Sequence, residues 1–230
     1  FLVLSPLIRN KFIQSKLIRE EQIVSIHHPI NEFDRETKDL PKLPLNFVQL
    51  GVASKRKNSK LIFDLSLKFI DEINSSKTKF SIIGKVARDT EVYRNNYVEV
   101  SSKKGHPLSQ TDYERLIMNA NYSLSFINGD DYVFRISGSI MDSIQYQLPL
   151  IALEHEFLND LFKQAGDIGF LCKDINEMEQ TIHKILLGDS NYTSRYMNQI
   201  QNLKNYAKQF YDIDNAKFLK INLQKSGWNL

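Results

Sequence analysis

The chain has 230 residues, a formal net charge of +3, 42% hydrophobic and 25% charged residues, the balance of an ordinary globular protein; at this length it buries roughly 70–75% of its unfolded surface without needing a disulfide or metal. Cys172 is its single cysteine, which excludes an internal disulfide and fits a reducing, cytoplasmic compartment, at most the inner face of a membrane. Lys and Arg are spread along the chain, which argues against nucleic acid but allows peripheral association with an anionic membrane surface, and no apolar run reaches the ~18 residues that span a bilayer.

In chain order, residues 1–27 read as a strand (1–4), a helix (6 to about 20, with Pro6 suited to its first turn) and a strand (23–27). The short apolar start leads straight into a charged helix-like segment, unlike a signal peptide. Because the chain begins at Phe1, it reads as a piece of a longer protein. Residues 28–45 carry three prolines, mixed charge and little periodicity, the mark of a linker or long surface loop. The reading therefore divides the chain into a remnant of an N-terminal domain or interdomain segment (1–30), a linker (31–45), a main domain (46–190) and C-terminal helices (191–230).

Within the main domain, short β-branched or aromatic runs at 47–50, 80–83, 97–100, 122–127, 148–153 and 168–171 alternate with helix-period stretches near 59–74, 111–119, 138–147, 155–164 and 174–187. This alternation predicts an α/β fold, a Rossmann-like parallel sheet with helices on both faces, followed by a helical C-terminus. Several strands are continuous apolar runs, as buried parallel strands should be. Ser59 is placed to cap the first helix. Ser109 or Thr111 opens the second, where Glu114, three after Thr111, matches a capping box.

The stretch 132–153 carries the most chemistry. It reads as a polar loop, a helix start at Ser137, Gly138 and Ser139, a short helix and a buried strand. Gly138 permits close backbone approach, and free N–H groups at a helix start point at whatever lies above them. The dipole favours an anion there by roughly 0.3–1 kcal/mol, and a charge-assisted hydrogen bond from Arg135 adds about 1.5–3 kcal/mol. Phosphate suits such a loop, and the Asp142 carboxylate suits ribose hydroxyls. The competing reading on chemistry alone is that the Ser-Gly-Ser stretch merely caps a helix and Asp142 stabilises its start.

The order of segments over roughly residues 24–190 resembles the C-terminal domain of GT-B glycosyltransferases, particularly those that make bacterial polysaccharides. A strand ending in His27, His28 and Pro29 is followed by one ending in Gly51, with Lys57 near the next helix start. Phe80 through Gly84 and Lys85 resembles the next strand and its glycine. The run from Asp112 to Leu124 resembles the helix and strand before the donor loop, and the stretch 137–151 the segment that holds nucleotide and ribose.

The resemblance implies the C-terminal half of a GT-B fold, a nucleotide-diphosphate sugar such as a UDP- or GDP-sugar as substrate, no essential metal, no cofactor and an N-terminal GT-B domain as partner. Taken with the chemistry of the loop, which adds Arg135, it makes the donor-binding candidates Gly51, Lys57, Gly84, Lys85, Arg135, Ser137, Gly138, Ser139 and Asp142; catalytic residues are not assigned. The acceptor implied is a glycan or lipid-linked molecule. The sequence also departs from the family. Many retaining members carry two glutamates eight positions apart, whereas Phe134 stands at the first position and Asp142 at the second. Val52 stands where an arginine is common, Asn58 replaces a glycine, and Glu154, His155 and Glu156 replace a glycine-rich turn.

Other candidates carry weaker signals. Lys55, Arg56, Lys57 and Lys60 read as well as a solvated helix face as they do as phosphate contacts, and Lys57 is favoured because its spacing from Gly51 resembles the family's. Gly105, His106 and Pro107 form a turn by composition. His27 and His28, being adjacent, point to opposite faces of a strand and make a poor metal pair. Gly129, Asp130 and Asp131 fit a surface turn, and Glu154, His155 and Glu156 a capped helix start. No G-x-G-x-x-G occurs, which argues against a nicotinamide dehydrogenase. The rivals to glycosyl transfer are a sugar-nucleotide epimerase and a non-catalytic nucleotide-binding or assembly module of the same fold.

Overall fold

A computed structural model describes residues 1–33, 40–102, 106–127, 132 and 135–225, with side chains left out at 212–215. Six strands form one all-parallel sheet: β3 (Leu45–Leu50), β4 (Thr78–Ile83), β5 (Val98–Val100), β6 (Tyr122–Ser125), β7 (Leu150–Leu153) and β8 (Gly169–Cys172). Their order is β5-β4-β3-β6-β7-β8. The chain thus builds outward from β3 in one direction and then, from β6, in the other. In such doubly wound sheets ligands bind beyond the carboxyl ends of the strands where the order reverses, here between β3 and β6.

Alternation along each strand feeds two layers. On β3, Leu45 and Phe47 enter one core with Phe63, Phe69, Phe80 and Tyr122, while Val48 and Leu50 enter the other with Ile117, Tyr146 and Leu148. On β7, Ile151 and Leu153 join the first layer, and Leu150 and Ala152 pack against Ile140, Ile144, Leu158 and Leu161. Helices α2 (Lys60–Ser66), α3 (Ile70–Asn74) and α7 (Ile175–Leu186) belong to the first layer. Helices α4 (Gln110–Met118), α5 (Gly138–Gln145) and α6 (Glu156–Ala165) belong to the second. Phe47 lies stacked between Phe80 and Tyr122, at centroid distances of 5.7 and 5.5 Å.

Several local expectations are corrected. The helix expected over 59–74 is broken into α2, a 3-10 turn (Leu67–Phe69) and α3. The tighter turn leaves Leu67 exposed and carries Phe69 onto Phe80 and His183, at 5.4 and 4.3 Å. Ser59 precedes α2 but does not cap it; its hydroxyl receives Gln49 Nε2 at 2.5 Å and the Ser54 N–H at 2.9 Å. The cap of α4 is Ser109, which accepts from Asp112 N, and no Thr111–Glu114 box forms because Glu114 bonds Gln110 and Tyr146 instead.

At the N-terminus, β1 (Leu2–Val3), α1 (Pro6–Gln14) and β2 (Val24–Ser25) make a small parallel βαβ unit. Helix α1 stops at Gln14, short of the expected position near 20, because Lys16 takes the left-handed conformation at φ 58°. The long helix expected after 190 is interrupted: α8 (Ser190–Thr193), α9 (Tyr196–Ala207), a 3-10 turn and α10 (Asp212–Lys225). Helix α9 runs below the amino ends of β6 and β8, with Tyr196 edge-on to Tyr122 and Gln199 bonded to Asp167. Helix α10 returns to β2, so the last helix packs on the first unit. Among the described residues no helix is long and apolar enough to cross a membrane.

Candidate functional site

Two turns form the carboxyl edge of the sheet at its reversal point. Beyond β3 the chain turns at Gly51 with φ +76°, and beyond β4 at Gly84 with φ +149°. A Cβ on Gly84 would lie 2.1 Å from the Gly51 carbonyl oxygen. Gly84 is therefore required by contact between the turns. The backbone pairing continues past them, with Ala53 N donating to Lys85 O at 2.9 Å and Ala53 bridging to Val86. The Lys85 side chain remains exposed.

The turn at Gly51 directs Lys57 back over the strand end. Its ammonium donates to Leu50 O at 3.3 Å and to Ser139 Oγ at 3.4 Å, and lies where a side chain on Gly51 would meet it. Ser139 lies in the first turn of α5, 82 positions away in sequence. Ser137 precedes that helix with an extended backbone and makes no side-chain cap; its hydroxyl pairs with Ser139 Oγ at 2.8 Å. Ser137 thus stands at the N-cap position without capping through its hydroxyl. By helix geometry the N–H groups of Gly138 and Ser139 have no intrahelical acceptor. Among the described residues nothing lies within 4 Å of where a Gly138 side chain would project.

Asp142, one turn further, is half-buried. Burial pushes its carboxyl above the ordinary range, opposed by a hydrogen bond from Tyr113 and by the charges of Lys57 and His28. The Tyr113 hydroxyl donates to Asp142 Oδ2 at 2.6 Å. Burial likewise lowers Lys57, opposed by the Asp142 charge and reinforced by Arg56. The result is a cation, two hydroxyls, a carboxylate and free N–H groups around the reversal point, a set of donors for an anion beside an acceptor for hydroxyls.

Of the residues singled out from sequence, the structure brings together Gly51, Lys57, Ser137, Gly138, Ser139 and Asp142, with Gly84 supporting the turn beneath them. Arg135 is exposed, and no contact between it and this cluster is found among the described residues. Phe134 and the Gly129, Asp130, Asp131 turn lie outside the described residues, as does Gly105; His106 is exposed. His155 caps α6, accepting from Phe157 N, and Glu156 pairs with Lys11 at 2.5 Å. That cluster is a capped, charged helix start. Among the described residues no group of three or more His, Cys, Asp or Glu side chains is placed to hold a metal ion.

Sequence reasoning missed Tyr113 and His28. Tyr113 sits one helical turn before Ile117, on the face of α4 turned to the core, where a phenol brings a polar tip into an apolar stripe. His28 faces Asp142 electrostatically, while His27 packs between Phe210 and Phe218 at 5.0 Å from each. The two histidines thus have different surroundings, although both lie beyond β2 (Val24–Ser25) and outside any strand.

No family model matches the sequence, and no curated protein matches it. Solved structures match throughout. The lipopolysaccharide outer core galactosyltransferase WaaB, in its apo form, aligns over 97% of this chain and 61% of its own, with a TM-score of 0.63 at 16% identity. The pneumococcal O-GlcNAc transferase GtfA, solved in complex with UDP and GlcNAc, aligns over 99% of this chain and 44% of its own, with a TM-score of 0.62 at 16% identity. The C-terminal domain of a glycosyl transferase group 1 family protein (LpcC) from Francisella tularensis aligns over 79% of this chain and 94% of its own, with a TM-score of 0.54 at 11% identity. The chain thus spans 61% of the first protein and 44% of the second. Its architecture is that of the Rossmann-like half of a GT-B glycosyltransferase.

Proposed function

We propose that this chain is the donor-binding part of a glycosyltransferase that moves a sugar from a nucleotide-diphosphate donor to a glycan or lipid-linked acceptor. The observation that carries this reading is the convergence of Lys57, the first turn of α5 and Asp142 at the reversal point of the sheet. Lys57, with the N–H groups at Gly138 and Ser139, receives the diphosphate and stabilises charge developing on it as the sugar leaves. Arg135, from the loop just before α5, supplies a second cation. Asp142 accepts the ribose hydroxyls. That GtfA was solved with UDP favours UDP as the first nucleotide to try. Acceptor groups come from an N-terminal domain to which residues 1–30 connect.

Titration of the chain with UDP and GDP tests this directly. Saturable binding of one of them is expected, with transfer to acceptors absent or slow without the N-terminal domain. An intact chain that binds neither would instead favour the non-catalytic module, which Phe134 in place of the expected glutamate also favours. Gly138→Ala provides an internal check. With open space around the new methyl, stability should change by no more than about 0.5 kcal/mol, while nucleotide affinity falls because the methyl obstructs close approach to the backbone. Unchanged affinity would remove the start of α5 from the site.

A further inference from the structure

Asp142 is held in a way that stabilising a helix start does not require. Tyr113 reaches from α4 to α5 and donates to Oδ2 at 2.6 Å. Among the described residues no other hydrogen bond to this carboxylate is formed, so Oδ1 keeps its acceptor capacity. Tyr113 is braced in turn: its ring lies edge-on to Tyr146, at 6.3 Å and 71°. Tyr146 is anchored by Gln110 Nε2 at 3.0 Å, by Glu114 at 3.3 Å and by an edge-on contact with Phe33 at 4.9 Å. An aromatic pair thus fixes the direction from which a neutral donor approaches Asp142.

We propose that Tyr113 is a positioning residue that holds Asp142 Oδ2 and thereby presents Oδ1 to the vicinal hydroxyls of a ribose. This inference rests on the nucleotide-binding reading above. It adds a residue that decides how strongly the site distinguishes a ribose from a sugar lacking those hydroxyls. The groups that favour the charged form of Asp142 are Tyr113 from α4, Lys57 from the turn after β3 and His28 from the segment after β2, while Tyr146, at the end of α5, also feels its charge. The first three oppose the upward shift that burial imposes on its carboxyl. Loss of the Tyr113 donor removes one restraint, so on acidification Asp142 takes up its proton at a higher pH than in the wild type.

The test measures affinities for UDP and GDP, and for the 2′,3′-dideoxy form of whichever binds more tightly, from about pH 5 to about pH 8. The wild type is expected to prefer the ribose form about tenfold or more, as loss of a charged hydrogen bond predicts, and Asp142→Ala to abolish that preference. Tyr113→Phe keeps the ring against Tyr146 and so keeps the fold. It should reduce the preference severalfold, leave the dideoxy affinity unchanged and move the acid limb of ribose binding to higher pH. A Tyr113→Phe variant with wild-type preference and acid limb, or one that weakens both nucleotides equally, overturns the proposal and leaves the nucleotide site standing. A wild type that binds neither UDP nor GDP overturns the nucleotide reading and this inference with it.

Discussion

Gly84→Ala should destabilise the chain by about 2–5 kcal/mol, combining left-handed backbone strain with overpacking. The new Cβ would sit 2.1 Å from the Gly51 carbonyl oxygen and 2.6 Å from its carbon, and the obstacle is backbone, which no side-chain rotation removes. The two turns belong to neighbouring strands joined along their whole register, from Leu45 opposite Thr78 to Leu50 opposite Ile83. Separating them therefore bends the sheet itself. Against a typical total stability of about 5–15 kcal/mol, such a loss is large. Urea unfolding checks it, with Gly188→Ala as the reference: Gly188 has φ +73° but nothing within 4 Å, so backbone strain alone costs it about 1–2 kcal/mol. If the two variants unfold at the same urea concentration, the Gly51–Gly84 contact yields and the argument fails.

Lys57→Ala should weaken nucleotide diphosphate binding by about tenfold to a hundredfold, the equivalent of one charge-assisted hydrogen bond of roughly 1.5–3 kcal/mol. The pH dependence gives the more specific signature. Burial lowers Lys57, so as pH rises the ammonium is lost sooner than that of an exposed lysine. Burial raises Asp142, so as pH falls the carboxylate is lost sooner than usual. Affinity should therefore decline on both sides of neutrality. Removing Lys57 abolishes the alkaline decline and, because its charge helps keep Asp142 ionised, moves the acid decline to higher pH. Calorimetric titration across that range resolves both limbs. An alkaline limb that survives in Lys57→Ala would assign it to another group.

The sheet was readable from sequence because buried parallel strands are continuous apolar runs, and each of the six expected runs overlaps a strand. The limits shifted where pairing stopped before apolarity did: Phe126 and Ile127 are buried beyond β6 but take no part in its ladder. Helix boundaries were harder, because competing contacts decide them. Glu114 could have closed a capping box, yet Tyr146 and Gln110 attract its carboxylate. Ser59 could have capped α2, yet the buried Gln49 amide requires its hydroxyl. At the candidate site, Gly138 and Asp142 were singled out from a local helix-start pattern, and Lys57 from a spacing after Gly51 that resembles the family's. Tyr113 was not visible, because its partner lies 29 positions away on another helix. Nothing within α4 distinguishes a phenol that packs from one that also donates.

The reversal of strand order also bears on when the site comes into existence. β3 reaches β4 across 33 positions, Leu45 to Thr78, but reaches β6 across 75, Phe47 to Tyr122. On loop-closure entropy alone the second pairing is dearer by roughly 0.7 kcal/mol. Lys57 lies inside the short loop, and Ser139 and Asp142 follow β6. A half-formed sheet of β3 to β5 has the cation without the helix start or the carboxylate. Nucleotide should therefore favour only the completed sheet over every partly assembled one, by about 2.7 kcal/mol at a hundredfold excess over its dissociation constant.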